Sequence, residues 1–208
     1  LYPLHWPLIW LPVTKQIYWS AALHTWLLGV GLYLFLRRCH LTVWASLAGG
    51  TVLAGCGFYG GLLGHINQLN AATWLPWTLL ILDFQQTESK IKNQKSKVAW
   101  FALFVALMLL AGHTQTAYIN LFGVGSWLVW SALYSLPDWR LSRANLRLLR
   151  SRLTPSLLVY GGGVVLGGLL CAAQLLPTVE LNGLGLRQGG LSYGEATSFS
   201  LRPLQLLW

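Results

Sequence analysis

Charged side chains are scarce in this chain of 208 residues. Asp, Glu, Lys and Arg together make up 9% of the positions, whereas a typical soluble domain has about 25%. Hydrophobic residues make up 55%, and there are 12 Trp, a residue that is enriched at the water interfaces of membranes. The composition therefore excludes an ordinary soluble domain and predicts an all-α, polytopic transmembrane helix bundle.

Acidic residues are the rarest of the charged types. Five Asp and Glu stand against 14 Lys and Arg, which gives a formal net charge of +9. Such a balance can indicate nucleic-acid binding. We reject that function, because the basic residues lie in short segments between apolar runs.

Cysteine is also infrequent. The three Cys do not form a CxxC pair, so neither a disulfide framework nor a zinc site is indicated. Cys56 and Cys171 fall within apolar runs and are predicted to be small buried residues. The chain starts without Met and ends in an apolar run, and we expect further residues on both sides of it.

Six apolar runs predict six membrane spans. They cover about 17–36, 41–63, 71–84, 98–111, 117–136 and 156–176, and they make residues 1–208 a single transmembrane domain with an outer loop at 177–203. A helix needs about 20 apolar residues to cross the bilayer core, and the third and fourth runs are shorter. Either the bilayer is thin there, or the polar ends of these spans lie in a protein-lined cavity.

Basic residues alternate between the segments that connect the predicted spans. They follow the first, third and fifth spans, as Arg37, Arg38, Lys90, Lys92, Lys95, Lys97, Arg140, Arg143, Arg147, Arg150 and Arg152. Because cytoplasmic loops collect Lys and Arg, these three segments are predicted to be cytoplasmic. The amino-terminal end and the residues after Pro177 are then predicted to lie outside.

Two similar polar motifs connect apolar runs on the predicted outer side. They are Gly64–Gln68, with the sequence GHINQ, and Gly112–Thr116, with the sequence GHTQT. Polar groups at the ends of spans are costly unless something uses them. The alternative is that both motifs only satisfy backbone groups at helix ends, where about four groups lack partners.

Glycine spacing indicates close helix packing. Three pairs have the GxxxG spacing that lets helices approach each other in lipid: Gly57 with Gly61, Gly60 with Gly64, and Gly163 with Gly167.

Four segments occur in an order that resembles YfhO-type bacterial membrane proteins. They are Leu1–Leu4, Gly64-His65 followed by Trp74–Pro76, Gly112–Thr116, and Ala173–Leu181. Such proteins belong with the GT-C glycosyltransferases, which transfer sugars from polyprenyl-phosphate carriers on the outer membrane face. The resemblance covers most of the chain and implies a GT-C-like fold, a multi-pass protein of the bacterial inner membrane, and sugar transfer from a lipid-linked donor.

The resemblance also concerns the site. In this superfamily the catalytic carboxylate lies in the first outer loop. The resemblance implies that the chain begins beyond that loop, and neither Glu180 nor Glu195 is expected to replace the carboxylate. Phosphate at a membrane face needs cationic or hydrogen-bonding partners. The residues expected to bind the phosphate-linked sugar are His65, His113, Gln115, Glu180 and Arg187.

Other interpretations of these residues stay open. Glu180 and Arg187 could form a solvated ion pair. No resident cofactor is predicted, although a divalent metal is compatible with the chain, because His65, His113 and Glu180 would offer two imidazoles and a carboxylate. A bis-His haem would need two His at matching depth, and no cytochrome motif supports it.

Two other functions remain as alternatives. A transporter or flippase usually carries ionisable groups near the bilayer midplane, where its helices are broken, and the predicted spans contain almost none. A non-catalytic membrane scaffold would not need His, Glu and Arg side chains gathered on one side.

Overall fold

The structure is a computed structural model that describes residues 2–82, 91–137, 142–185, 190 and 192–198. It divides into two compact units, residues 1–171 and 172–208, which are considered separately. Every regular element in the described ranges is helical, as the composition predicts.

The first unit contains two 3-10 segments and eight α-helices among its described residues. In chain order they are η1 Pro3–Leu8, α1 Val13–Arg38, α2 Val43–Gly55, α3 Gly57–Gly61, η2 Leu62–Gly64, α4 Ile66–Ala72, α5 Leu75–Ile81, α6 Ile91–Leu110, α7 Thr114–Tyr134 and α8 Arg143–Leu170. The second unit contributes α9 Ala172–Leu184 and α10 Tyr193–Thr197.

Three helical stretches are long and apolar enough to cross a membrane. They are Val13–Arg38, Val43–Gly64 and Arg143–Leu170. The first two match the first and second predicted spans, and the third overlaps the sixth, although it begins well before residue 156 and ends at Leu170. α6 and α7 have 20 and 21 residues and overlap the predicted fourth and fifth spans. The chain thus has the helices of a membrane protein, and the count of six spans stays a prediction.

The predicted third span, 71–84, coincides with a break between two short helices. α4 and α5 have seven residues each and are separated by Thr73 and Trp74. Pro76 lies in the first turn of α5, where its missing N–H costs little, whereas inside one continuous helix it would remove a hydrogen bond and clash with the preceding turn. Residues 83 and 84 lie outside the described ranges.

Local chemistry fixes several helix ends. The side chains of Thr42 and Ser142 accept hydrogen bonds from backbone N–H groups at the starts of α2 and α8, as N-cap residues do. Gly112 follows α6 with a φ of 83°, a left-handed conformation that glycine adopts without strain. The chain can therefore reverse direction within three residues and start α7 at Thr114.

Paired contacts show that α1, α4, α5 and α7 run in one direction. From α4 through the break to α5, successive residues contact successive residues of α1, in the pairs Asn70–Ser20, Thr73–His24 and Trp77–Leu27. α4 and α7 are parallel as well, because Gln68 contacts His113 just before α7 and Ala71, further along α4, contacts Asn120 further along α7.

α2, α6 and α8 run in the opposite direction. α2 is antiparallel to α1, since Gly50 packs against Gly29 in the middle of both helices and Gly49 faces Leu36 near the end of α1. The short turn at Gly112 makes α6 antiparallel to α7. α6 and α8 are parallel, because the neighbours of Gly163 and Gly167 are Phe101 and Val105 in the same order.

The α6–α8 contact depends on the predicted glycine spacing. A Cβ on Gly163 would lie 3.1 Å from the Cβ of Phe101, and one on Gly167 would lie 2.9 Å from the carbonyl oxygen of Ala102. This pair therefore allows the close approach that GxxxG spacing predicts. The pairs in 57–64 differ, because no heavy atom of the described residues lies within 4 Å of a Cβ built on any of them.

These directions give the first unit two chemically different ends. One end, which we call the histidine end, holds the start of α1, η1 with His5, and the turns with His65 and His113. The other, the basic end, holds the end of α1 and the starts of α6 and α8, with Arg37, Arg38, Lys95, Lys97, Arg143 and Arg147. The fold thereby separates the two sets of side chains that the sequence assigns to opposite sides of the membrane.

Candidate functional site

A polar cluster is buried near the histidine end, between η1, α1 and the α4–α5 break. We call it the His24 cluster, and its members are Tyr2, His5, Ser20, His24, Asn70 and Trp74. His24 and Asn70 are fully buried, and Ser20 is 2% exposed. A polar side chain in an apolar environment is costly unless it is hydrogen-bonded, so the partners of each group decide what the cluster can do.

The first chain of hydrogen bonds joins Trp74, Tyr2 and His24. The indole N–H of Trp74 donates to the Tyr2 hydroxyl oxygen at 3.1 Å. His24 Nδ1 lies 2.7 Å from the backbone carbonyl of Ser20. Because a carbonyl only accepts, Nδ1 of the neutral ring carries the proton and Nε2 accepts. The Tyr2 hydroxyl therefore donates to His24 Nε2, at 2.7 Å.

The second chain of hydrogen bonds joins His5, Ser20 and Asn70. Asn70 Nδ2 lies 3.1 Å from His5 Nε2, and since an amide nitrogen only donates, Nε2 of His5 accepts. The Ser20 hydroxyl lies 2.8 Å from the same nitrogen and 3.4 Å from Asn70 Oδ1. One hydroxyl proton thus has two acceptors within reach, and η1 is connected to both α1 and α4.

Burial keeps Tyr2 and His5 neutral. It lowers the pKa of His5 below its ordinary value of 6.5 and raises the pKa of the Tyr2 hydroxyl above its ordinary value of 10.0, since desolvation disfavours a charged form. At neutral pH both groups therefore act as hydrogen-bonding groups, which suits a ligand hydroxyl better than a phosphate.

A second polar group brings the two Gly-His motifs together. His113 Nδ1 accepts from the backbone N–H of Thr116 at 3.2 Å, and the Thr116 hydroxyl lies 2.7 Å from the same nitrogen. The neutral ring then carries its proton on Nε2, which lies 3.0 Å from Nε2 of Gln68. Because the Gln68 amide can turn over, its oxygen is the atom that accepts this proton.

Two predicted binding residues lie beside this contact. His65 precedes α4 by one residue, and Gln115 lies in the first turn of α7. Both side chains are exposed, whereas His113 is half-buried. The histidine end thus presents accessible donors and acceptors around a positioned imidazole.

The carboxylates considered in the sequence belong to the second unit. Glu180 is exposed within α9, which continues through Pro177 to Leu184, so the first part of the range predicted as a loop is helical. Glu195 and Ser192 form a capping box at the start of α10, a role that stabilises a helix end. Arg187 lies outside the described residues.

Metal ligands are not grouped in the described part of the chain. Within it, no three His, Cys, Asp or Glu side chains are arranged to hold a metal ion. The compatible divalent metal stays a prediction. Cys171 is buried, as predicted, and its thiol donates to the carbonyl of Ala106 at 3.2 Å, whereas Cys56, predicted to be buried as well, is half-buried.

Most members of the His24 cluster were not predicted from the sequence. Tyr2, His5, Ser20, His24 and Asn70 are absent from the predicted site residues. A signal was present, because Ser20 and His24 are four residues apart and share one face of a helix. Polar residues inside an apolar run are a sign of function or of polar packing.

Comparison with known proteins adds no relative. No protein-family model, curated protein or solved structure matches this chain.

Proposed function

We propose that this chain forms part of an integral membrane glycosyltransferase of the GT-C type, similar to YfhO-type proteins, which transfers a sugar from a polyprenyl-phosphate carrier on the outer face of the bacterial inner membrane. The observation that carries the proposal is the contact between Gln68 and His113, at 3.0 Å. It joins two separate Gly-His motifs at the end of the unit opposite the basic residues.

The chemistry of the histidine end suits a sugar donor at a membrane face. A sugar offers several hydroxyls, each able to donate and accept, and exposed His65 and Gln115 offer matching groups. A pyrophosphate or phosphate needs hydrogen-bond donors where charge develops as the bond to the leaving group breaks. Thr116 and Gln68 occupy both ring nitrogens of His113, so His113 would act by fixing the two motifs. The donors would come from His65 and Gln115, and Arg187 would supply a planar fork. Glu180 would orient Arg187 or a sugar hydroxyl.

Sugar transfer by the full-length protein tests the proposal. The donor is a radiolabelled polyprenyl-phosphate sugar, and the variants are His65→Ala, His113→Ala, Gln115→Ala, Glu180→Ala and Arg187→Ala. His40→Ala at the basic end is the control. Transfer should fall in the first set and stay unchanged in the control. Unchanged transfer in every variant would remove these residues from the site.

One observation favours a transporter as the second candidate. His24 is buried inside Val13–Arg38, and it lies beside the break between α4 and α5, where Thr73 donates a hydrogen bond to its carbonyl at 3.3 Å. Transporters place ionisable groups beside broken helices. Proteoliposomes that move a polyprenyl-phosphate sugar from one leaflet to the other, without forming free polyprenyl phosphate, would favour this candidate over the transferase.

A further inference from the structure

The amino-terminal segment 3–12 presents two chemically opposite faces. One face is turned to the protein, where His5 bonds to α1 and α4. Tyr2, which directly precedes the segment, bonds to His24 and Trp74 on the same side. The other face carries large apolar side chains that the first unit leaves uncovered: Trp6 is 62% exposed, Ile9 60% and Trp10 87%.

Exposing the face with Trp6, Ile9 and Trp10 to water is unfavourable. The first 14 residues contain no Asp, Glu, Lys or Arg, so nothing in the segment offsets the cost of hydrating two Trp and an Ile. Contiguous apolar surface of this kind marks an interaction site. Trp prefers the zone between lipid headgroups and acyl chains, where its ring is buried and its N–H stays hydrated.

The connection to α1 places the segment at the boundary of a span. α1 begins at Val13, directly after Pro12, and Val13–Arg38 is long and apolar enough to cross a membrane. Pro12 has an extended backbone, with ψ at 146°, so the chain turns where the span begins. The exposed face of the segment continues into Val13, which is 69% exposed.

We propose that segment 3–12 lies in the membrane interface at the histidine end, with Trp6, Ile9 and Trp10 between the lipid headgroups and the first methylenes. The partner is the phospholipid leaflet itself. The hydrogen bonds of Tyr2 and His5 hold the other face against the helices, so the segment covers the His24 cluster from the lipid side.

Nitroxide depth measurements test this proposal in the full chain, reconstituted in vesicles of phosphatidylethanolamine and phosphatidylglycerol. In a cysteine-free background, single Cys are placed at Trp6, Trp10, Val13, Trp19 and Trp26, which are all more than half exposed. The last three form a depth scale along α1, since a helix rises about 1.5 Å per residue: position 19 lies about 9 Å beyond position 13, and position 26 about 10 Å further.

We expect the nitroxides at positions 6 and 10 to collide more often with oxygen than with a nickel chelate. Their depth in the membrane should equal that of position 13 or be slightly closer to the water. Higher accessibility to nickel than to oxygen at both positions would place the segment in water and overturn the proposal. Low accessibility to both reagents would mean that protein covers the face, which also overturns it. Circular dichroism of each labelled variant confirms that the helices remain folded.

Discussion

The hydroxyl of Tyr2 lies 2.7 Å from Nε2 of His24, a residue that is fully buried nearly halfway along α1. This bond connects η1 to a candidate membrane span across 22 positions of sequence. It also satisfies an imidazole nitrogen that would otherwise lack a partner among apolar helices.

Removal of the Tyr2 hydroxyl should destabilise the first unit. Tyr2→Phe leaves both His24 Nε2 and the Trp74 N–H without their partner, and an unsatisfied buried polar group costs about 1–3 kcal/mol. Reversible unfolding in mixed detergent measures the change. Tyr18→Phe is the matched control, because Tyr18 is 77% exposed, and it should shift stability by less than about 0.5 kcal/mol. Equal effects in the two variants would refute the role given to the hydroxyl.

Protonation of His5 should make stability depend on pH. Burial lowers the pKa of His5 in the folded state below 6.5, its ordinary value. Between these two pKa values the unfolded chain binds more protons than the folded chain, so stability falls as the pH drops below about 6.5. His5→Gln should flatten this part of the profile between pH 7.5 and 5. An identical slope in the variant would show that His5 contributes nothing to it.

Gln68 and His113 should be energetically coupled. Their contact joins α4 to the start of α7, and a typical hydrogen bond contributes about 0.5–1.5 kcal/mol to stability. A double-mutant cycle with Gln68→Ala and His113→Ala should give a coupling energy in that range. Strict additivity of the two substitutions would mean that the motifs touch without stabilising each other.

Alanine substitutions at two neighbouring glycines of α8 should affect stability differently. Gly167→Ala places a Cβ 2.9 Å from the carbonyl oxygen of Ala102, while no atom of the described residues lies within 4 Å of a Cβ on Gly168. Overpacking costs about 1–3 kcal/mol, whereas Gly→Ala in an open helical position is neutral or favourable by up to about 1 kcal/mol. Unfolding measurements on both variants check the difference. If Gly168→Ala lost as much stability as Gly167→Ala, the α6–α8 packing would be contradicted.

Apolar runs and charge alternation made the helical membrane architecture predictable. The long runs map onto α1, Val43–Gly64 and α8. The break at Thr73 and Trp74 was harder to predict, because it depends on Pro76 and on hydrogen bonds to α1 rather than on local hydropathy. Both Gly-His motifs could be selected from sequence, since polar residues between apolar runs stand out. The bond between Gln68 and His113 depends on the packing of α4 against α7, which no local pattern contains.

We expect the histidine end to face the outside of the cell and the basic end to face the cytoplasm. Single Cys at Gln115 and Ser96 test it, because both side chains are exposed and they lie at opposite ends of the first unit. A membrane-impermeant maleimide added to intact spheroplasts should label the Cys at position 115, and it should label the Cys at position 96 only after the membrane is permeabilised. Labelling of position 96 in intact spheroplasts, with position 115 protected, would reverse the orientation and contradict an outer-face site.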